Sequence, residues 1–583
     1  MKFLLPYLKA SRWFILGVML IKLLGTLLEL MLPYVLEHLI DHVAPLGETA
    51  PIFAWGALMM VLAILVRVLN VTANRLSVRV ARNSTYAIRR DLFHTSLNLS
   101  GSQMDAFGLP SITSRMTSDS YNVQSFIQSC QTLGIRAPIM LLGGIFVTLT
   151  MDAGLASILC IMAPIMIVLV VGISMRGIPL FDKVQQGMDD IVRVMRENIT
   201  GIRVVKALSK EPYEIRRFQG VNETAARRDM KASIVMSLPG PVVTLFLNIG
   251  LTLVVYIGAR RVNAGVTQPG VILAFLTYFN MILMGVMGLN RIFMAMSKAN
   301  ASAQRIQAVI GLKEELGCVP ESEAPPTDRP EYVIFQNVSF NYGAGSTGGQ
   351  FAGEHRQQSL SNISFAIPRG GSLGIIGATG CGKTTILNLL MRFYDCSQGR
   401  IFVDGRDVRT YDKDQLHRKF GVVFQNDVVF ADTLAENILF GREVDAPGLQ
   451  RAAEDARALD FIQGYEDGFQ HKAAIHGANL SGGQRQRILI ARALAAEPEI
   501  LILDDASSAL DYRTDAALRR AIRERYSPAA TIVVAQRVSS IMSLDQILML
   551  EEGELIGCGT HAELMASCPA YREIYRTQMG EAV

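Results

Sequence analysis

A glycine-rich segment followed by lysine and threonine is the most chemically informative stretch of the sequence. Residues 377–384, Gly-Ala-Thr-Gly-Cys-Gly-Lys-Thr, match the phosphate-loop pattern G-x-x-x-x-G-K-[ST] and lie between an apolar run at 372–376 and a helical pattern at 385–393. Glycines allow backbone amides to wrap phosphate groups, and the positive end of the following helix favours their negative charge. We therefore expect Lys383 to reach the β- and γ-phosphates of a nucleotide and the Thr384 hydroxyl to ligate Mg²⁺.

Two adjacent carboxylates form the second candidate group. The apolar run at 500–503 ends in Asp504 and Asp505, about 120 residues after the phosphate loop. A carboxylate at the end of such a strand holds Mg²⁺ in nucleotide hydrolases, and the next one is placed to polarise the attacking water. We expect Asp504 in the first role and Asp505 in the second.

The distribution of apolar residues divides the 583-residue chain into two parts. Half of its residues are apolar, and they form long runs before about residue 300 and short runs after about residue 330. This change predicts a membrane domain at 1–315 and a soluble α/β domain at 332–583. The linker at 316–331 contains Pro320, Pro325, Pro326 and Pro330, which break helices.

The first part contains about six runs that can span a bilayer, and the third of them is short. They lie at 13–36, 52–71, 137–150, 155–175, 242–259 and 271–294. Basic residues are concentrated at 75–90 and 176–210, which places both segments in the cytoplasm. These segments are long and helical in pattern, so helices two to five should extend well beyond the bilayer. Arg260 and Arg261 contradict the charge rule because they fall in a predicted outer loop.

Polar residues inside these spans allow two interpretations. Lys22 and Glu29 lie in the first span, where they contact either a transported molecule or a neighbouring helix. Met281, Met284 and Met287 in the last span offer a flexible apolar surface or ordinary packing. The small net charge of +4 and the lack of a basic block argue against nucleic-acid binding, and the seven cysteines lack metal-ligand spacing.

Within the segment 479–487, Asn-Leu-Ser-Gly-Gly-Gln-Arg-Gln-Arg, the run Leu480–Gln484 resembles the signature motif of ATP-binding cassette (ABC) proteins. Tyr342, Gln425 and residues 508–511 match the family's adenine-stacking aromatic, Q-loop and D-loop. In the membrane part, residues 113–119 and 197–206 resemble the two cytoplasmic loop motifs of type IV exporters. The chain thus resembles an exporter half-transporter over almost its whole length. It is similar in particular to the degenerate-site subunit of bacterial heterodimeric multidrug-type exporters.

This resemblance implies a head-to-tail dimer in which each ATP lies between the phosphate loop of one chain and the signature of the other. The residues expected to bind ATP in this chain's own site are Tyr342, Gly377, Thr379, Gly380, Cys381, Gly382, Lys383, Thr384, Thr385 and Gln425. Mg²⁺ would be held by Thr384, Gln425 and Asp504. The residues expected to contact ATP on a partner chain are Ser481, Gly482, Gly483 and Gln484, where the start of a helix points its positive end at the phosphate.

Three positions depart from the family pattern. The catalytic Glu is replaced by Asp505, the switch His by Gln536, and the Glu-Arg-Gly before the signature by Ile-His-Gly at 475–477. Asp is one methylene shorter than Glu, and Gln can neither carry a positive charge nor shuttle protons. We therefore expect Asp505 and Gln536 to form a site that binds ATP but hydrolyses it slowly.

The favoured function is ATP-driven export of amphipathic small molecules, drugs, lipids or peptides across the cytoplasmic membrane. The partner would be a second, different half-transporter that supplies the Glu and the His. The alternatives are a homodimeric exporter, an importer on the same fold, for example for siderophores, and an ATP-gated regulator or channel. The segment 343–358 is longer than usual in the family and is predicted to be a surface loop.

Overall fold

The computed structural model describes residues 2–312, 315–342 and 359–580. Two compact units divide the chain. The first comprises Met1–Ser96 and Pro110–Leu312, and the second comprises Leu97–Leu109 and Lys313–Val583. The predicted surface loop at 343–358 lies outside the described residues.

Long helices build the first unit. Their bounds are Arg12–His38, Thr49–Leu97, Ser120–Met151, Ala153–Thr200, Glu211–Ser237, Pro239–Asn263 and Pro269–Ile310, with the short helix Ile202–Ala207 between the fourth and fifth. Six helical segments of the described chain are long and apolar enough to cross a membrane, in agreement with the six predicted spans. The helix Thr49–Leu97 has 49 residues. At about 1.5 Å per residue it is more than twice as long as the roughly 30 Å hydrocarbon core, as expected for a helix that continues into the cytoplasm.

The third span is longer than its hydropathy indicates. The predicted run at 137–150 is the apolar end of one continuous helix, Ser120–Met151, and Pro138 does not interrupt it. Small residues allow this helix to approach Pro269–Ile310 closely. A Cβ added to Gly285 would lie 2.9 Å from the Ala137 carbonyl oxygen, and one added to Gly144 would lie 2.9 Å from Ile282.

The two arginines that contradict the charge rule lie at the end of Pro239–Asn263, and one of them has a buried counter-charge. Arg261 Nε lies 3.1 Å from Asp152 Oδ2, and the Asp152 side chain is only 4% exposed. Asp152 also accepts hydrogen bonds from the amides of Gly154 and Leu155 and so caps the helix Ala153–Thr200. Arg261 therefore pairs with a buried carboxylate at this turn.

The polar residues of the first span pair with neighbouring helices. Lys22 donates to Asn70 at 2.7 Å and to Asn74 at 3.1 Å, while Glu29 accepts from Arg136 at 2.8 Å. These contacts support the interpretation in which Lys22 and Glu29 pair with neighbouring helices. Of the three methionines, Met281 and Met287 pack against buried apolar clusters, whereas Met284 is 65% exposed.

Within the described residues, the second unit contains ten strands in two sheets. They are β1 (Val333–Phe340), β2 (Leu360–Ile367), β3 (Ser372–Gly377), β4 (Gln398–Val403), β5 (Arg406–Asp407), β6 (Phe420–Val423), β7 (Ile500–Asp504), β8 (Ala530–Val534), β9 (Gln546–Glu551) and β10 (Glu554–Gly559). The first sheet has the order β2-β1-β4-β5 and the second the order β10-β9-β3-β8-β7-β6. Strands β3, β8, β7 and β6 are parallel to one another. Their carboxyl ends therefore lie along one edge, where ligands bind in open α/β sheets.

Helices complete this unit. They are Lys383–Leu390, Lys413–Arg418, Leu434–Leu439, Ala446–Asp455, Leu459–Gln463, Gly482–Leu494, Tyr512–Arg525, His561–Ser567 and Pro569–Met579. One buried apolar cluster lies between the two sheets around Phe335, Ile375 and Leu387. A second packs Gly482–Leu494 and its neighbouring helices against the other face of β7. This core fixes the ends of β3, β7 and β8, which carry the candidate residues.

A short helix from the cytoplasmic end of the second span belongs to this same unit. We call Gly101–Phe107 the loop helix. The Gly101 amide donates to the Phe393 carbonyl at 3.0 Å, and a Cβ on Gly101 would lie 2.4 Å from the Tyr394 ring. The Tyr394 hydroxyl donates to Asp105 at 2.8 Å. Glycine at 101 lets the helix approach the tyrosine closely, and any side chain there would have to displace the Tyr394 ring.

Candidate nucleotide site

The phosphate loop connects β3 to the helix Lys383–Leu390. This helix begins two residues earlier than the predicted run at 385–393 and ends three residues earlier, because Arg392 adopts a positive φ of 55°. Gly382 has a φ of 101°, and a Cβ there would lie 2.6 Å from the Leu360 side chain. A Cβ on Gly377 would lie 2.2 Å from the Leu550 carbonyl oxygen. Only glycine fits these two positions, so the cradle expected from the sequence is built into the backbone.

The two polar side chains at the start of this helix face the loop and the strand beside it. The Lys383 ammonium donates to the carbonyl oxygens of Gly377 and Ala378 at 2.8 and 2.7 Å. The Thr384 hydroxyl lies 3.5 Å from Asp504 Oδ2. The positive charge thus lies over the loop, and the hydroxyl and the carboxylate stand side by side as a pair of oxygen ligands.

The two carboxylates have different environments. Asp504 is 3% exposed at the end of β7, and burial, together with the charge of Asp505, raises its pKa. Burial also raises the pKa of Asp505, but the positive charges of Arg537 and Lys383 oppose this shift. Asp505 has a φ of 51°, a left-handed conformation that Asp tolerates better than most residues.

Gln536 lies directly beside the second carboxylate. Its Nε2 donates to Asp505 Oδ2 at 3.3 Å. Gln536 follows the end of β8, Ala530–Val534, by two residues. Because β7 pairs with β8, Asp505 and Gln536 leave neighbouring strands at the same edge. Two of the three departures from the family pattern, Asp505 and Gln536, are therefore in contact.

A cleft of about 770 Å³ brings together the residues predicted for this chain's own ATP site. It is lined by Tyr342, Thr379, Gly380, Cys381, Gly382, Lys383, Thr384, Thr385, Gln425, Asp504, Asp505 and Gln536. Gly377, at the end of β3, is not among the residues that line the cleft. Ser359, Ser361 and residues 551–553 also line the cleft and were not predicted, because they form no motif in the sequence.

Tyr342 lies at one end of the cleft. Its hydroxyl donates to Thr385 at 3.2 Å, and its ring makes edge contacts with Phe340 and Tyr394. Tyr394 is the residue that binds Asp105 of the loop helix. An aromatic ring at the cleft and the loop helix therefore contact the same tyrosine. This arrangement cannot be predicted from the sequence, because the contacts join residues far apart in the chain.

The signature residues form the start of the helix Gly482–Leu494. The Ser481 side chain accepts from the Gln484 amide at 3.2 Å, and the Gln484 side chain accepts from the Ser481 amide at 2.8 Å, which is a capping box. Ser481 and Gly482 are exposed. Within the described chain, none of the four residues at 481–484 lines the cleft. Ile475, which departs from the family pattern, lies a few residues before the signature and is 70% exposed.

The donor set fits a nucleotide with a magnesium ion. No group of three or more His, Cys, Asp or Glu side chains in the described chain is arranged to hold a metal alone. Mg²⁺ typically uses one or two protein oxygens together with substrate phosphates, and Thr384 with Asp504 supplies two. Gln425 can supply a third from the same cleft. Bound there, the ion would neutralise charge on the β- and γ-phosphates.

The fold and this cleft define a phosphate-loop ATPase domain joined to a helical membrane domain. Residues 14–287 match the family described as ABC transporter transmembrane region, and residues 360–508 match the family described as ABC transporter. The chain is 33% identical over 566 residues to an uncharacterized ABC transporter ATP-binding protein of Mycobacterium tuberculosis (strain CDC 1551 / Oshkosh), covering 96% of this chain and 95% of that protein. It is 30% identical over 504 residues to the ATP-dependent lipid A-core flippase of Chromohalobacter salexigens, covering 86% and 85%.

A solved structure of a bacterial Atm1-family ABC exporter with ATP bound superposes with a TM-score of 0.81. It has 25% sequence identity, and the match covers 98% of this chain and 99% of that one. The chain belongs to the ABC transporter family. It is a multi-pass membrane protein with the fold of an ABC exporter and a cytoplasmic nucleotide-binding domain, and its ATPase domain drives transport.

Proposed function

We propose that this chain is one half of a heterodimeric exporter and that its own ATP site binds ATP but hydrolyses it slowly. The observation that carries the proposal is the pair formed by Asp505 and Gln536 in the cleft. In the ABC family pattern, these positions hold the residues that activate water and contact the γ-phosphate. Both are altered in this chain, and they contact each other.

The chemistry of these two residue types supports slow hydrolysis. The Asp505 carboxylate ends one methylene short of a glutamate, and a misplacement of about 1 Å can lower a rate by about a hundredfold. The loss of general-base assistance lowers a rate by about 10²–10⁴-fold. The Gln536 amide is neutral, so it offers the γ-phosphate one hydrogen bond and no positive charge. Binding is retained because Lys383, Thr384 and the loop amides are intact.

The chain's own residues then have separate tasks. The loop amides and Lys383 bind the phosphates, and Thr384 with Asp504 orients Mg²⁺. Tyr342 offers a ring for stacking on adenine. Asp505 orients the attacking water only weakly. ATP binding would bring the nucleotide domains together, and the loop motifs would pass that motion to the membrane helices.

The signature supports catalysis on a partner chain. The capping box holds Ser481 and leaves the start of its helix exposed, so the amides of Gly482 and Gly483 are available to a phosphate. These residues lie outside this chain's own cleft, as a role in trans requires. A partner with a catalytic Glu and a switch His would then hold the fast site, and its hydrolysis would reset the transporter.

The transported molecule is proposed to be amphipathic. A lipid flippase is among the relatives, and the membrane unit offers exposed apolar side chains, including Met284. The exporter-type structural match favours export over the importer alternative. ATP-driven transport in inside-out vesicles tests the direction, because an importer would deplete the vesicle lumen of the transported molecule.

The test is to purify this chain alone in lipid nanodiscs and to measure ATP binding and ATP hydrolysis separately. We expect Mg²⁺-dependent ATP binding with little phosphate release, whether or not lipid or drug is added. Lys383→Ala provides the matched control, because this variant should lose ATP binding in addition to hydrolysis. Fast, lipid-stimulated hydrolysis by the unaltered chain would refute the slow site. Recovery from native membranes only as a pair of identical chains would refute the heterodimer.

A further inference from the structure

The loop that carries Gln536 is held by the last helix of the described chain. Pro569–Met579 ends beside this loop, and Gln578 contacts it twice. The Gln578 Nε2 donates to the Gln536 carbonyl oxygen at 2.8 Å. The Gln578 Oε1 accepts from the Val538 amide at 2.8 Å. One side-chain amide thus bridges the backbone on both sides of Arg537.

The strand ladder does not secure these two backbone groups. The pairing of β8 with β3 ends at Val534, and the last ladder-like bond is from the Ala535 amide to the Ile375 carbonyl. Beyond that point the chain must be fixed by other contacts. A primary amide carries both a donor and an acceptor, so a single glutamine can satisfy a carbonyl and an amide of the same loop.

The position of Gln578 is itself fixed by packing. Tyr571, on the same helix, is fully buried and lies in one apolar cluster with Val538 and Ile541. Its hydroxyl also forms a 2.8 Å hydrogen bond with His561 Nδ1. The helix is therefore anchored to the core that lies behind the Gln536 loop, and Gln578 extends from this anchor to the loop.

We propose that Gln578 is a positioning residue that holds the Gln536 side chain at the γ-phosphate end of the cleft and thereby favours ATP over ADP. The proposal rests on the proposed function, which places Gln536 at the γ-phosphate. Gln578 itself does not line the cleft formed by the described residues, so it acts through the backbone of the loop. Without it, Val538 stays buried, but the Gln536 carbonyl and the Val538 amide lose these two bonds, and the Gln536 amide is held less firmly at the third phosphate.

A selective effect on the two nucleotides follows. ADP lacks the γ-phosphate, so its binding depends on the phosphate loop and not on Gln536. ATP would lose one hydrogen bond to a charged acceptor, which corresponds to a decrease in affinity of roughly tenfold. A purely structural role of Gln578 would weaken both nucleotides together.

The experiment uses the full-length protein in nanodiscs and measures the dissociation constants of Mg-ATP and Mg-ADP by calorimetry. Gln578→Leu removes both hydrogen bonds at similar size, and Gln578→Glu keeps only the acceptor for the Val538 amide. We expect each variant to weaken ATP binding roughly tenfold and to leave ADP binding unchanged. Thr577→Ala is the matched control, since it removes only a bond within the helix, from Thr577 to the Glu573 carbonyl.

A variant cycle separates this proposal from the one on which it rests. In a Gln536→Ala background, Gln578→Leu should cause no further loss of ATP affinity. If Gln536→Ala is silent, the γ-phosphate role of Gln536 fails and the positioning role fails with it. If Gln536→Ala weakens ATP but Gln578→Leu and Gln578→Glu do not, only the positioning role fails. Equal weakening of ATP and ADP by both Gln578 variants would also overturn it.

Discussion

Restoring the two altered residues should convert the slow site into a fast one. The change is Asp505→Glu together with Gln536→His in the full-length chain. In the structure these side chains already meet at the carboxyl ends of β7 and β8, with Gln536 Nε2 3.3 Å from Asp505 Oδ2. The new carboxylate would reach about one methylene further into the cleft, and the imidazole would replace a neutral amide.

The expected gain follows from the same distances. Moving a carboxylate by about 1 Å into position changes a rate by about a hundredfold, and effective general-base assistance contributes about 10²–10⁴-fold. We therefore expect the double variant to hydrolyse ATP at least about 100 times faster than the unaltered chain. No partner is needed, because two copies of the variant would pair each restored pocket with an intact signature at 480–484.

The assay is steady-state phosphate release in nanodiscs, with Mg-ATP binding measured in parallel. Asp505→Asn with Gln536→His is the matched control, because it has the histidine but lacks the base and should stay slow. The reasoning is refuted if the Glu–His variant binds ATP as a dimer yet turns over no faster than the unaltered chain. A fast control variant would refute the role given to the carboxylate.

Three further changes test other contacts. Tyr394→Phe removes the hydroxyl that donates to Asp105, so hydrogen exchange of the loop helix should become about fivefold faster, because such a bond contributes about 1 kcal/mol. Asp152→Ala removes both a helix cap and the counter-charge of Arg261, and it should lower the melting temperature of the membrane unit, with a loss of about 1–2 kcal/mol. Asp407→Asn weakens a buried carboxylate that accepts three hydrogen bonds from one arginine, and it should destabilise the nucleotide domain by about 2 kcal/mol in a thermal melt.

A single exposed ion pair serves as the control for these melts. Arg520→Ala breaks the pair with Glu524, whose side chains are 80% and 59% exposed, and should change stability by less than about 0.5 kcal/mol. A shift for Arg520→Ala as large as that for Asp407→Asn would contradict the assigned importance of burial. Unchanged exchange in the loop helix of Tyr394→Phe would show that the Asp105 contact does not hold it.

Local patterns in the sequence predicted the membrane helices and the fold class, because each depends on neighbouring residues. Six apolar runs were enough to find six spans. The third run is short by hydropathy because polar residues precede position 137, whereas packing against Pro269–Ile310 keeps the whole of Ser120–Met151 helical. The phosphate loop and Asp504 were found from spacing, and the structure places them in one cleft.

Contacts between distant segments could not be predicted in this way. Tyr394 and Asp105 are separated by 289 positions, and neither belongs to a recognisable sequence motif. Gln578 lies 42 positions after Gln536, on a helix whose sequence pattern indicates only that the helix is amphipathic. Such pairs depend on the path of the chain through space, so the sequence alone shows the residue types but not their meeting.

The loop helix has a practical consequence for work on the soluble part. A fragment that starts at Tyr332 would lack both Gly101–Phe107 and Glu315, whose carboxylate accepts hydrogen bonds from Ser100 and Ser102. The ring of Tyr394 and the groove beside Arg392 and Phe393 would then be open to water. We expect such a fragment to aggregate at high concentration. A covalently attached peptide with the sequence of residues 97–109 should keep it soluble.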